Sequence, residues 1–359
     1  MTGRQVRVLV YAVCLFPVDV VVGVVLLVAQ IAALPLRASS PARNFAEPNT
    51  SKITVQILNW DGRQLLEEFL PAVVRASEGH EVLLVDNGSK DDSVAFVRRQ
   101  FPQVRLVQLE RNFGYSAGNN RGMECAETDV VVLLNNDVAP DRDFLAPLLA
   151  PFSDPKVFAV ASRITVPDPA KVSYETGNTR GRFESGLFYL WHEPIQEGPQ
   201  PQTLPVFWAG GGACAIDRRK FKELGGFDRL YAPFYVEDTD LSYRAWKRGW
   251  QSILATESHV CHKHRATSGP RFGELFVNNT TRRNHYLFVW KNVTDTGMLV
   301  EHILSLPLIH YRAIFQYGAA FEYRAYLRAF LRFPLALKRR LTTDRDTVLS
   351  DSDVMDLFR

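Results

Sequence analysis

Between residues 53 and 137 the chain repeats one pattern: a short β-branched or leucine-rich run, a polar turn, then a stretch with helical spacing. Residues 53–58, 81–85, 104–109 and 130–134 read as strands, and 65–76, 89–100 and 117–126 as the helices between them. Strands joined through helices favour a mostly parallel sheet with right-handed crossovers, flanked by helices. Ligands of such sheets bind beyond the carboxyl ends of the strands, where Asp86 and Asp137 both fall.

The remainder is harder to read. Residues 164–205 are rich in Pro, Gly and charge and read as a variable, acceptor-side insertion. Residues 207–216 look like a strand interrupted by Gly210, Gly211 and Gly212, followed by short helices at 218–224 and 241–248. From 298 to 341 the pattern is helical and mixes apolar residues with Arg312, Arg324, Arg328, Arg332, Lys338, Arg339 and Arg340, as in an interfacial amphipathic helix or a helix with a solvated basic side.

The stretch 6–36 is apolar over more than the ~20 residues a helix needs to cross a bilayer, and is expected in the membrane. Pro17 and Asp19 interrupt it, so a tilted span and a re-entrant hairpin both remain open. The expected organisation is a membrane segment at 1–37, a Ser/Pro-rich linker at 38–52, a catalytic domain at 53–290 and a membrane-associated helical region at 291–359. The 42 basic and 39 acidic side chains are too balanced for a nucleic-acid binder. Four widely spaced cysteines indicate neither a disulfide framework nor a structural zinc site and fit a reducing compartment.

Several short segments carry candidate chemistry. Asp86 ends an apolar run ahead of Asn87-Gly88-Ser89, which would expose its carboxylate at a pocket rim; an ordinary strand-to-helix turn uses the same residues. Asn112-Phe113-Gly114, continuing to Asn119, places amides and small residues before a helix. Asn135-Asn136-Asp137 follows a buried run and puts one carboxylate, a hard oxygen donor, at a strand end, unless the triplet is only an Asx turn. Glu237, Asp238 and Asp240 cluster at a helix start, where an acid stays ionised and a carboxylate can withdraw a hydroxyl proton; complementing the helix dipole is the plainer use. Trp208 and the glycines after it let backbone approach a ligand, with core packing as the alternative for the indole.

In this order the segments resemble a family 2 glycosyltransferase of the GT-A fold, in its rhamnosyltransferase-like subgroup, over roughly residues 53–290. The resemblance implies an α/β nucleotide-diphospho-sugar transferase fold and an inverting transfer of a hexosyl or deoxyhexosyl group to an acceptor hydroxyl. On it Asp86 and Ser89 match a nucleotide-binding Asp-x-x-Ser pattern, and Asn112, Gly114, Asn119, Asn136, Gly211 and Gly212 border the donor. The triplet at Asn135 stands where the family has Asp-x-Asp, so Asp137 is the implied metal ligand, with Asn135 and His262 beside it. Asp238 is the implied base and Glu237 its neighbour, while Lys263 and Arg265 face phosphate or solvent and His259 and His264 compete with His262.

The implied partners are a nucleotide-sugar donor, a divalent cation, a lipid-linked or cell-envelope glycan acceptor and a membrane, with catalysis on the cytoplasmic side. Two rival classes remain: a catalytically inactive glycan-binding scaffold, favoured by Asn135 in place of Asp, and a nucleotidyltransferase. The latter should carry a basic glycine-rich loop near its first strand, which residues 58–62 lack.

Overall fold

The computed structural model describes residues 1–33, 44–166, 175–196, 198–263, 271–343 and 347–359. Helices α1 (Gly3–Cys14) and α2 (Phe16–Ala33) come first. Next are β1 (Thr54–Asn59), α3 (Arg63–Ala76), β2 (Glu81–Asp86), α4 (Ser93–Gln100), β3 (Arg105–Gln108), α5 (Tyr115–Cys125) and β4 (Val130–Asn135). The middle holds β5 (Val138–Pro140), α6 (Leu145–Leu149), β6 (Val157–Thr165), β7 (Thr179–Glu184), β8 (Leu187–His192) and β9 (Thr203–Pro205). Then come β10 (Ala213–Asp217), α7 (Arg218–Glu223), α8 (Glu237–Lys247) and β11 (Gln251–His262). The last elements are α9 (Glu274–Asn292), α10 (Thr296–Tyr317), α11 (Ala319–Phe330), α12 (Phe333–Thr343) and α13 (Asp351–Asp356).

The chain divides into two compact units: a sheet unit of residues 43–180 and 191–271, and a helical unit of 1–42, 181–190 and 272–359. In the sheet unit the strand order is β3-β2-β1-β4-β10-β6-β11-β5, with β9 paired to β11. The first four strands run parallel, β10 is antiparallel to both neighbours, and β6 and β11 are parallel to each other. This is the mostly parallel α/β architecture expected.

Both faces of the sheet are covered, so its central strands are apolar throughout rather than alternating. In β4, Val130, Val132 and Leu134 join one core with Leu66 and Leu70 of α3, while Val131 and Leu133 join the other with Phe221 and Leu241. The stretch 207–212, expected as strand, is irregular: Trp208 N–H is taken by Thr179 Oγ (2.9 Å) and Gly211 N–H by Asp238, so no ladder forms. Likewise α4 starts at Ser93, four residues later than expected, because Asp61 and Asp91 side chains take the N–H groups of Lys90 and Ser93.

In the helical unit the interruption expected at Pro17 and Asp19 lies instead at Leu15, and α2 carries Pro17 in its first turn, where a missing N–H costs nothing. By length and composition α2 is the described helix that could cross a membrane. Its buried side is not purely apolar. Asp19 Oδ1 accepts from Tyr326 (2.6 Å) and lies 3.1 Å from His310 Nε2, whose Nδ1 is 2.9 Å from Glu322; Glu322 in turn pairs with Arg282 at 3.1 Å. Removing one member of a buried ionic network leaves the others uncompensated, at a cost of about 3–5 kcal/mol. Asp19→Ala is therefore expected to lower the thermal transition of the helical unit clearly; an unchanged transition would mean that apolar packing alone holds α2.

Candidate active site

The carboxyl ends of β2, β1 and β4 lie side by side, and the last residues of β2 and β1 are hydrogen-bonded to each other and to Asn136, the residue after β4. Asp86 is fully buried rather than exposed at a rim. Its Oδ1 accepts from Ser89 N–H (2.9 Å) and its Oδ2 from Ser89 Oγ (2.5 Å) and Asn59 Nδ2 (3.2 Å). Asn59, at the end of β1, accepts from Asn136 Nδ2 (2.9 Å), so Asp86, Ser89 and Asn136 are joined through a residue the sequence reading passed over. Asn59 ends a strand as Asp86 does, and the same rule would have found it.

Beside them, buried Asn87 donates to Asn112 Oδ1 (3.0 Å) and accepts Phe113 N–H (3.0 Å), while Asn112 takes Gly114 N–H (2.8 Å). Gly114 needs its φ of +84°, and Tyr115 N–H then reaches Pro233 O (3.0 Å). Asn119 is not brought to this rim. It is buried in α5, where its carbonyl and side-chain oxygens accept from Gln56 of β1, so it fastens helix to sheet.

Past β4, Asp137 Oδ1 lies 3.0 Å from His262 Nε2, and His262 Nδ1 lies 2.7 Å from Glu175 Oε2. Burial pulls the imidazole pKa down, but the two carboxylates outweigh it and carry it to about 10. The ring therefore sits as a cation between two acids. Glu175 falls in the insertion that had no readable pattern, and nothing in the sequence marks it. Of the competing residues, Lys263 pairs with Glu68 at 2.8 Å, and His264 and Arg265 lie outside the described residues.

An unfolded histidine releases its proton near 6.5, whereas His262 holds it to about 10. A group whose pKa is raised on folding adds stability that is complete below the unfolded value and disappears as pH climbs to the folded one. In chelator, the protein is expected to lose thermal stability between about pH 6.5 and 10, and His262→Gln to flatten that slope. Parallel slopes would mean that the imidazole is not charged in the fold.

The last part of the site is α8, whose first turn holds Glu237 and Asp238. Tyr235 (φ 69°) and Val236 (φ 77°) precede it in the left-handed region, which costs a β-branched residue about 1–3 kcal/mol and fixes where the two acids emerge. Asp238 Oδ2 accepts Gly211 N–H (3.2 Å), and its Oδ1 accepts Thr239 N–H (2.7 Å). Glu237 is buried with Oε2 unpartnered. It does not stay an ordinary ionised acid: burial, then the charge of Asp238, pushes it well above the carboxylate range. Burial raises Asp238 as well, with Glu175 adding to it and the backbone donors opposing.

A Cβ at Gly211 or Gly212 would stand 2.6 Å from Tyr115 Oη or 2.7 Å from Asn135 Nδ2, so a side chain at either position would push that neighbour aside. Asn135 thus packs against Gly212, linking the end of β4 to the loop that holds Asp238. Asp240 turns inward to Arg244 (2.8 Å) and Tyr231 (2.7 Å), and Trp208 is buried beside Phe207 and His192. Both are structural.

Among the described residues no group of three or more His, Cys, Asp or Glu side chains could hold a metal unaided. Asp137 and His262 would fit a shared one once the imidazole gives up its Nε2 proton to the solvent: two adjacent ligands of a six-coordinate ion with ~2.1 Å bonds stand about 3.0 Å apart, leaving other positions to water and phosphate oxygens. Comparison with known proteins gives this geometry a context. The sequence model of the family described as "Glycosyl transferase family 2" matches residues 54–225. The N-acetylglucosaminyl-diphospho-decaprenol L-rhamnosyltransferase of Mycobacterium tuberculosis is 32% identical over 228 residues, which are 57% of this chain and 74% of that protein. The chain belongs to the family 2 glycosyltransferases.

N-acetylgalactosaminyltransferase 6 of Drosophila melanogaster is 30% identical to this glycosyltransferase over 217 residues, 56% of this chain but 32% of the relative. Among solved structures, GalNAc-T7 with UDP, GalNAc and Mn²⁺ superposes with a TM-score of 0.58 at 19% identity, covering 86% of this chain and 56% of that one. S. aureus TarS 1–349 gives 0.50 at 14% identity, covering 82% and 83%. At these identities the two structures establish the GT-A fold of the transferase and nothing finer.

Proposed function

We propose that this glycosyltransferase moves a sugar, with inversion, from a nucleotide diphosphate to a hydroxyl of a lipid-linked saccharide in cell-envelope glycan synthesis. The observation that carries the reading is the continuity of the rim: Asp86 reaches Asn136 through Asn59, Asp137 meets His262, and Asn135 packs on the glycine loop whose N–H holds Asp238. The lipid-linked acceptor rests on the name of the mycobacterial relative, and the cytoplasmic placement on where nucleotide sugars are made.

In this reading Asp86 and Ser89 set the loop that takes the nucleotide, with Asn112 and Gly114 shaping its neighbouring wall. Asp137 and His262 would hold a divalent cation, with Asn135 beside it, and that ion supplies positive charge to the departing diphosphate. Asp238 removes the acceptor hydroxyl proton as the new C–O bond forms on one face of the anomeric carbon and the bond to the diphosphate breaks on the other. Its raised pKa suits that task. Burial pushes the Glu237 carboxyl well above its usual range, which disfavours a second full negative charge beside the base.

The test is a panel of nucleotide sugars incubated with the full chain in Mg²⁺, Mn²⁺ or chelator, read as nucleoside diphosphate release. One donor is expected to turn over only with metal. Release from none, with no donor binding by calorimetry, would favour the scaffold alternative.

A further inference from the structure

We propose that the helical unit seats itself on one leaflet of a lipid bilayer with α2 lying in the plane of the interface, instead of crossing the membrane. This is independent of the glycosyl-transfer reading. Asp19 and Gln30 are eleven residues apart, about three turns, and so share one face of α2. Both are buried and both are tied to the carboxyl-terminal helices: Asp19 to Tyr326 and His310, Gln30 to the carbonyl of Thr294 and, at 2.6 Å, to Arg340. α2 is thus fastened along its length, with Gly23 closing on Ile303 of α10 between the two attachments.

A helix crossing the ~30 Å hydrocarbon layer would have to take these partners with it. The helices that hold α2 expose Arg312 and Arg324 on the two helices that pair with Asp19, and Lys338 and Arg339 on the helix that pairs with Gln30. Each charge carried to the bilayer centre costs several kcal/mol. In the plane of the interface these charges stay wet.

The opposite side of α2 fits lipid. Val20, Val21, Val24, Val28 and Ile31 are all exposed, and α1 adds exposed Leu9 and Val13. A row of exposed apolar side chains along one face of a helix marks a surface made for lipid or another apolar partner. Its surroundings are positive: residues 1–33 and 296–343 hold nine basic and three acidic residues, and two of those acids, Asp19 and Glu322, are buried in the ionic network. That excess matches anionic headgroups and would repel a second copy of the same face.

The experiment uses the full chain with Cys14, Cys125 and Cys261 changed to Ser, buried Cys214 retained, and single spin labels at Val20→Cys or Ile31→Cys. These are bound to vesicles of phosphatidylcholine alone or mixed with phosphatidylglycerol. Binding is expected to be stronger by about tenfold or more on the anionic vesicles and to weaken comparably in Val24→Asp. The two labels should report nearly equal depths. A crossing helix would separate them by roughly 16 Å at 1.5 Å per residue, and that result would overturn the proposal. So would a stable dimer in light scattering that ignores both vesicle types.

Discussion

Asp238→Asn is expected to bind the donor within a few-fold of the parent while transferring sugar about 10²–10⁴ times more slowly, the usual contribution of a positioned general base. Asn keeps the shape and can still accept Gly211 N–H, so the loop should survive. It cannot take a proton. The parent's kcat/KM should fall as pH drops through the pKa of Asp238, which burial places above the ordinary aspartate value, and the variant should lack that acid limb. Lost donor binding with intact turnover of what binds would remove Asp238 from the reaction and make it a wall of the donor pocket.

Asp137→Ala is expected to abolish metal-dependent donor turnover, by roughly a thousandfold or more, since the departing diphosphate then loses its main counter-charge. The substitution also strips His262 of one of its two acidic partners, so an inactive protein could simply be a misfolded one. Asp137→Asn separates these outcomes: it keeps a hydrogen-bonding oxygen toward His262 but weakens a hard-cation site. A folded Asn variant that needs much more Mn²⁺ for the same rate supports the assignment. Equal rates at equal Mn²⁺ in both variants would remove Asp137 from the mechanism.

The core was legible because parallel strands buried on both faces are written as unbroken apolar runs; 130–134 could hardly be anything else. The strand ends were legible for the same reason, which is why Asp86, Asn136 and Asp137 fall together. Side-chain partnerships were not. Asp86 looked exposed because a terminal Asp usually is, yet Ser89 and Asn59 enclose it. Glu237 looked ionised because a helix start favours an anion, but desolvation overrides that effect at a fully enclosed site. Glu175 had no pattern to announce it, and the 207–212 stretch read as strand although its N–H groups belong to Thr179 and Asp238.

The attachment of α2 to helices far along the chain has a consequence for biosynthesis. Asp19 and His310 are 291 residues apart, and Gln30 and Thr294 are 264 apart. At about 5–20 residues per second a ribosome needs roughly 15–60 s to deliver those partners. Throughout that interval Asp19 and Gln30 lack these partners, so shelter of the apolar α2 segment by a chaperone or a lipid surface is the expected requirement until the later helices emerge.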